Sequence, residues 1–166
     1  MTFNQIVAGA VPAWHTIFIQ RASDSGLEPL RRRVALHELD NHFIWELQRD
    51  DDIEVLLNGL DLLVSASEGE GFSNVIEEAM ATGVPCVVTD VGDSKAIVGD
   101  WGTVAPPKNS CALAKGISQM LSTGYLGNAS HLAKSRSRIV EKFSLEKLTL
   151  ETERRLTALV SDQIDD

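Results

Sequence analysis

The sequence predicts an α/β protein built on a doubly wound, open parallel sheet. Two observations predict it. Short apolar runs alternate with amphipathic ones along the chain, and the runs LDLLVSA (60–66) and VPCVVTD (84–90) are nearly continuously apolar. Strands of that kind are covered on both faces, as in a parallel sheet. Alternating strands and helices with right-handed crossovers then give an open sheet with helices on both sides. The 166 residues fit one domain, 1–166, and suffice for a real core.

The elements follow in order. Strands are expected at HTIFIQ (15–20), HFIWEL (42–47), LDLLVSA, VPCVVTD and the short GTVAP (102–106). A helix over 27–40 has apolar residues at Leu27, Leu30, Val34, Leu36 and Leu39. A second, over 51–60, opens on aspartates, which suit the positive end of a helix dipole. A third, over 74–83, ends on Gly83, a residue fitted to a helix C-terminus. A fourth runs over 111–122 with Asn109 and Ser110 as caps. Two long helical patterns follow Tyr125, with Ser144 as a cap between them.

Composition narrows the function classes. The chain is 43% hydrophobic and 23% charged, which reads as an ordinary soluble globular composition. No apolar run approaches a membrane span, and the N-terminus lacks the basic region of a secretory signal. A net charge of −9 opposes a nucleic-acid partner. The Arg31–Arg33 cluster reads first as a solvated helix face, and a peripheral membrane contact is the lesser reading. Two cysteines make no disulfide framework. A cytoplasmic setting follows as the simpler expectation, with the inner face of a membrane as its lesser variant. Cys86 reads as a small buried hydrophobe. The four histidines show no metal-ligand spacing, and no metal is assigned.

The chemistry-bearing stretch is EGEGFSNVIEEAMATGVPCVV, from residue 68. It follows the LDLLVSA strand, and ligands of open α/β sheets bind outside the carboxyl ends of the strands. Gly69 and Gly71 allow a tight turn and close approach of backbone to ligand. The free amides at the start of the next helix favour a phosphate. Carboxylates beside a phosphate site need another purpose. With Asn74 as N-cap, Glu77 falls at the third helical position and resembles half of a capping box; Ser73 is the other candidate cap. Val75, Ile76, Ala79 and Met80 form the buried stripe. Glu78, about one turn above Asn74, tilts back toward the helix start, and Glu70 sits on the loop. A carboxylate accepts two strong bonds from a vicinal diol. The pattern therefore suits a nucleotide sugar, with amides on the phosphates and carboxylates on the sugar hydroxyls.

On these residues the chain resembles the retaining GT-B glycosyltransferases of the family 4 type. SEGEGFSNVIEEAMATGVPCVVTDVGDSKAIV matches that family's pattern of Glu, Gly, Phe, a second Glu-Ala-Met-Ala, Gly and a Val-rich strand. RDDDIEVLLNGLDLLVSAS, GTVAPPKNSCALAKGI and VEKFSLEKL match further pieces in order, so the resemblance covers roughly residues 15 to 160. It implies a Rossmann-like domain, the C-terminal half of a GT-B fold, that binds a nucleotide-diphosphate sugar as donor substrate without a cofactor or metal. Carried over by position, Glu70 is the catalytic carboxylate facing the donor sugar, and Glu78 holds the ribose. Gly71, Phe72, Ser73, Asn74 and Val75 bind the donor through the main chain. The acceptor, a glycan or a lipid, is held by an N-terminal acceptor domain in the same or a second chain, as in polysaccharide biosynthesis.

Two departures accompany the resemblance. The family's donor domain opens with a strand and helix bearing an Arg and a Lys for the phosphates, and residues 1–14 are too short to hold them. The chain is therefore expected to be N-terminally incomplete and to transfer little or no sugar by itself. Lys95 is the cation that could approach the same mouth, against its plainer role as a surface residue. Where the family often has a Gly after the second strand, Glu46, Leu47 and Gln48 stand here. A non-catalytic, glycosyltransferase-like binding or interaction module is the alternative. A phospho-receiver domain is set aside, because LDLLVSAS ends in serines rather than an Asp.

Overall fold

A computed structural model of the chain describes residues 16–20, 27–47 and 53–162. The predicted features at His15, Gln48, Asp51, Asp52 and over 1–14 lie outside these residues. The chain divides into two compact units, Met1–Leu56 and Leu57–Asp166.

In the first unit, strands β1 (Thr16–Gln20) and β2 (Phe43–Leu47) pair in parallel, with Thr16 opposite Phe43 and Gln20 opposite Leu47. Helix α1 (Leu27–Leu36) joins them, as a crossover between parallel strands must. It buries Val34, and Leu39 beyond it is also buried. Leu36, expected on the apolar face, is 79% exposed. The predicted helix to residue 40 ends four residues early. Glu38 turns into the left-handed region at φ 56°, its N–H donates to Ala35 O at 3.0 Å, and the Leu39 N–H donates to Val34 O at 3.1 Å. That bond pair closes a helix in the Schellman manner. A 3-10 turn, Asp40–His42, leads into β2. Arg31, Arg32 and Arg33 are all exposed, as a solvated face requires. Arg32 pairs with Glu28 at 3.2 Å. Helix α2 (Ile53–Asn58) crosses the division into the second unit.

In the second unit, β3 (Leu63–Ser65), β4 (Cys86–Thr89) and β5 (Thr103–Ala105) form a parallel ladder in that order. Ser65 stands opposite Val88, and Thr89 opposite Ala105. All four residues of β4 are buried, as expected for the central strand. Val64 in β3, an end strand of this three-stranded ladder, is 39% exposed.

Helix α3 (Asn74–Ala81) lies between β3 and β4. It buries Ile76, Ala79 and Met80 completely; the two larger side chains contribute about 1.5–3 kcal/mol each by leaving water. Its end is a full Schellman closure: Gly83, at φ 87°, donates to Met80 O at 3.0 Å, and Val84 donates to Ala79 O at 2.7 Å. Helix α4 (Ser94–Val98) follows β4; at five residues it is too short to declare itself by periodicity.

Helix α5 (Ser110–Ser122) is capped by the Asn109 side chain, which accepts from the Ala112 amide at 2.9 Å. Helix α6 (Ala129–Phe143) is capped by Asn128, which accepts from Ser130 and His131, each at 3.1 Å. It buries His131, Ser135 and Ile139, one turn apart. The His131 ring stacks on Tyr125 with centroids 4.1 Å apart and meets Trp101 edge-on at 5.2 Å. Ser144 breaks the chain before α7 (Leu145–Asp162) and accepts from the Lys147 amide at 3.3 Å, the predicted cap. Among the described residues, no helix is long and apolar enough to cross a membrane.

Candidate functional site

The parallel ladder decides where a site can form. With β3, β4 and β5 in parallel register, their carboxyl ends lie along one edge. The segments 66–73, 90–93 and 106–109 leave from that edge. The first of them carries Glu70, Gly71, Phe72 and Ser73, and α3 carries Asn74, Val75 and Glu78. The predicted residues thus occupy one loop and the first five residues of one helix.

Loop 66–73 is ordered by named bonds. Ser67 Oγ donates to Glu70 Oε1 at 2.8 Å. Thr89 Oγ1, on the central strand, donates to Ser67 O at 2.6 Å. The Asp93 amide donates to Gly71 O at 3.1 Å. Glu68 meets Lys108 at 3.6 Å. Both partners of that pair are more than two-thirds exposed, so it adds little stability. An ideal Cβ on Gly69 or Gly71 would meet nothing within 4 Å. The space beside those two residues is therefore open to a ligand.

The start of α3 corrects one expectation. Asn74 is the first helical residue and Ser73 holds the N-cap position, buried and with no side-chain capping bond. The capping box built on Asn74 and Glu77 does not form, because the cap lies one residue earlier and leaves Glu77 in the fourth helical position. Ser73 O accepts from Ile76 at 3.2 Å and from Glu77 at 3.4 Å. The amides of Asn74 and Val75, ahead of those bonds, are donors that a helix cannot satisfy itself. No backbone bond takes the amides of Phe72 or Ser73 among the described residues. These four amides are the ones expected to face a diphosphate.

The carboxylates separate by surroundings. Glu70 is exposed on the loop. Glu77 and Glu78 are both half-buried on α3. Burial, and then the neighbouring Glu78, push the Glu77 carboxyl above the usual range. The Glu78 carboxylate has no hydrogen-bond or ion-pair partner among the described residues. Phe72 sends its ring away from solvent on one side, onto Phe143 at the end of α6, with centroids 5.9 Å apart.

Among the described residues, Lys95 and Lys108 border this edge. Lys95 is exposed in the first turn of α4. Lys108 follows β5 in a left-handed conformation, φ 57°, and reaches Glu68. Lys108, Ser67, Thr89 and Gly92 were not anticipated as site residues. The parallel register alone would have brought Lys108 to this edge. Cys86 is fully buried, its Sγ lies 3.5 Å from Val84 O, and burial pushes its thiol far up. It is a packing residue, as expected, and not a nucleophile.

Residues 5–123 match the family model of the glycosyl transferases group 1. The chain is 32% identical over 109 residues to an N-acetyl-alpha-D-glucosaminyl L-malate synthase of Bacillus anthracis, covering 64% of this chain and 28% of that protein. It is 35% identical over 106 residues to the O-antigen chain mannosyltransferase B of Escherichia coli, covering 62% of this chain and 26% of that protein. The chain thus spans little more than a quarter of the length of these curated relatives. Among solved structures it is similar to Anabaena Alr3699/HepE in complex with UDP, at TM-score 0.77 and 22% identity, over 93% of this chain and 43% of that one. It is also similar to the C-terminal domain of the group 1 protein LpcC from Francisella tularensis, at TM-score 0.68 and 24% identity, over 80% of this chain and 71% of that one. Such likenesses carry the fold, a Rossmann-like half of the GT-B type.

Proposed function

The chain belongs to the glycosyl transferases of group 1, and from that premise we propose that it is the donor-binding domain of a retaining glycosyltransferase. Its donor is a nucleotide-diphosphate sugar, and a glycan or lipid acceptor is held by an acceptor domain in the same or a second chain. One observation carries the reading. A carboxylate held by Ser67 stands on the loop that delivers unclaimed amides at the start of α3. The amides of Phe72, Ser73, Asn74 and Val75 face the diphosphate, assisted by the helix dipole. Glu78 accepts from the ribose diol. Glu70 accepts from the sugar hydroxyls and favours the positive charge that develops at the anomeric carbon as its bond to the phosphate oxygen breaks.

The mannosyltransferase of Escherichia coli and the synthase of Bacillus anthracis support sugar transfer as the reaction. The complex of the Anabaena protein with UDP supports a uridine diphosphate as one nucleotide to try. A second reading, a non-catalytic binding module, draws on one feature: Lys108 is engaged with Glu68 rather than left for a phosphate.

Calorimetric titration of the chain with UDP, GDP and their sugar conjugates tests the proposal. Binding of a nucleotide sugar that Glu78→Gln weakens is the expected result. In a chain extended by the strand and helix that bear the phosphate-binding Arg and Lys, absence of binding by every nucleotide and nucleotide sugar would reject the donor-domain reading.

A further inference from the structure

We propose that Thr89 and Gly92, at the end of β4, are positioning residues that hold the loop of Glu70 in its working geometry. The inference rests on the reading of Glu70 given above. It starts from a difficulty in the loop itself. Glu70 lies between Gly69 and Gly71, and neither glycine has an atom within 4 Å of its missing Cβ. Two unpacked glycines give a segment wide conformational freedom. The Ser67–Glu70 bond lies within the same loop, so it cannot anchor that loop to the sheet.

The anchor comes from the next strand. Thr89, 4% exposed, donates through Oγ1 to Ser67 O at 2.6 Å; Ser65 O lies farther off, at 3.4 Å. Three residues on, the chain turns through Gly92 at φ 50°. That turn brings the Asp93 amide to Gly71 O at 3.1 Å. The approach is so close that a Cβ on Gly92 would lie 2.9 Å from the carbonyl carbon of Glu70 and closer still to the carbonyl oxygens of Glu70 and Gly71. Backbone at that distance cannot yield as a flexible side chain would. Glycine is required at 92 twice over, by its conformation and by the space. One side-chain bond at Ser67 and one backbone bond at Gly71 thus bracket Glu70, and both originate in residues 89–93.

The test compares Thr89→Val, Thr89→Ser and Gly92→Ala with the unaltered chain. Amide hydrogen exchange at Asp93 reports the grip without any ligand, and exchange at Val87 and Val88 reports the strand. Thr89→Val keeps the shape and loses the donor, so Asp93 should exchange about fivefold faster, with Val87 and Val88 unchanged. Gly92→Ala should accelerate Asp93 further. Thr89→Ser, which keeps the hydroxyl, should behave as the unaltered chain. Unchanged Asp93 exchange in both Thr89→Val and Gly92→Ala would overturn the proposal. The functional arm uses UDP-glucose and GDP-mannose against UDP and GDP. The affinity gained from the sugar should fall by up to about fivefold in Thr89→Val, remain in Thr89→Ser, and leave nucleotide affinity within about threefold. A sugar-dependent gain that is undiminished in Thr89→Val would overturn the positioning role. If nucleotides bind but the unaltered chain shows no such gain while Asp93 exchange responds as expected, the assignment of Glu70 to the sugar fails and the grip of β4 on the loop stands.

Discussion

Ser67 Oγ donates to Glu70 Oε1 at 2.8 Å, fixing one oxygen of the loop carboxylate, and the other has no partner among the described residues. A carboxylate aimed at a developing positive charge acts mainly in the transition state, and losing it lowers turnover more than binding. In the proposed enzyme, with donor and acceptor domains together, Glu70→Gln should therefore reduce kcat by roughly 10²-fold or more. Affinity for free UDP or GDP should change less than about threefold, because those ligands lack the sugar. Ser67→Ala keeps the charge but loosens it, and should lower kcat by roughly fivefold, the worth of about 1 kcal/mol. Steady-state kinetics beside calorimetry separate the two quantities. Normal kcat with lost nucleotide affinity in Glu70→Gln would reverse the roles given to Glu70 and Glu78.

Glu78→Gln should weaken nucleotide binding more than Glu77→Gln does. The two neighbours are both half-buried on α3. Glu78 has no partner among the described residues and is the one proposed to meet the ribose. Loss of a charged acceptor there should cost on the order of 1.5–3 kcal/mol. Calorimetric titration with UDP and GDP decides it, and equal losses in the two variants would show that the carboxylates are wrongly assigned.

Glu77 should show its effect in stability instead. Its carboxyl is raised by burial and by Glu78, so the folded chain binds this proton more tightly than the unfolded chain. Stability then falls as pH rises through the window between the ordinary carboxylate range and the raised value. The penalty is absent below that window and fully present above it. Glu77→Gln should raise stability, and with it Tm, above that window, by less than about 1 kcal/mol given the screening of a half-exposed group. The gain should vanish at a pH below the ordinary glutamate value. Thermal melts of both chains across that range check it, and a gain that grows on acidification would contradict the sign.

Ser135 offers a test of the core under the site. Its hydroxyl is buried on α6 with no hydrogen-bond partner among the described residues, and so is His131 Nε2 one turn away. A buried polar group without a partner is destabilising, by about 1–3 kcal/mol in mutational data. Ser135→Ala removes that group with almost no change in volume. It should leave stability unchanged or raise it by up to about 1 kcal/mol. Denaturant unfolding measures this, and a loss above about 1 kcal/mol would show that the hydroxyl is bonded in solution.

The parts of this fold that were legible are those whose physics is local. The apolar run of β4 announced a strand covered on both faces, and all four of its residues are buried. Asn109, Asn128 and Ser144 each hold a helix start, two of them anticipated as caps from sequence alone. What stayed hidden depends on contacts distant in sequence or on conformations that residue type does not advertise. Thr89 gave no sign that its hydroxyl reaches back to Ser67, a bond spanning 22 positions. Gly92 likewise carries no local sign that its neighbour donates to Gly71. Asn74 and Ser73 are both good caps by type, and the choice between them falls to the loop that delivers them.

Two helix ends make the same point and end in a prediction. Helix α3 closes on Gly83 at φ 87°, and α1 closes on Glu38 at φ 56°, each with the same pair of backbone bonds. Gly83 marked its helix end in the sequence, and Glu38 did not, so α1 was expected to run to residue 40. The left-handed region costs an L-residue roughly 1–2 kcal/mol, and glycine escapes that cost. Against it stands the extra freedom that glycine has in the unfolded chain, worth about 0.4–1 kcal/mol. The balance favours glycine at both positions. Gly83→Ala should destabilise the chain by about 1 kcal/mol. It would also bring a methyl group to 3.4 Å from Leu132 Cβ, an ordinary contact, so the loss is conformational rather than steric. Glu38→Gly should stabilise the first unit by roughly 0.5–1 kcal/mol, with the exposed Glu38 side chain lost at little cost. Hydrogen exchange at Leu39, whose amide closes the α1 end, reads the second change directly. Slower exchange in Glu38→Gly is expected, and faster exchange would mean that the Glu38 side chain, not its backbone, holds this turn.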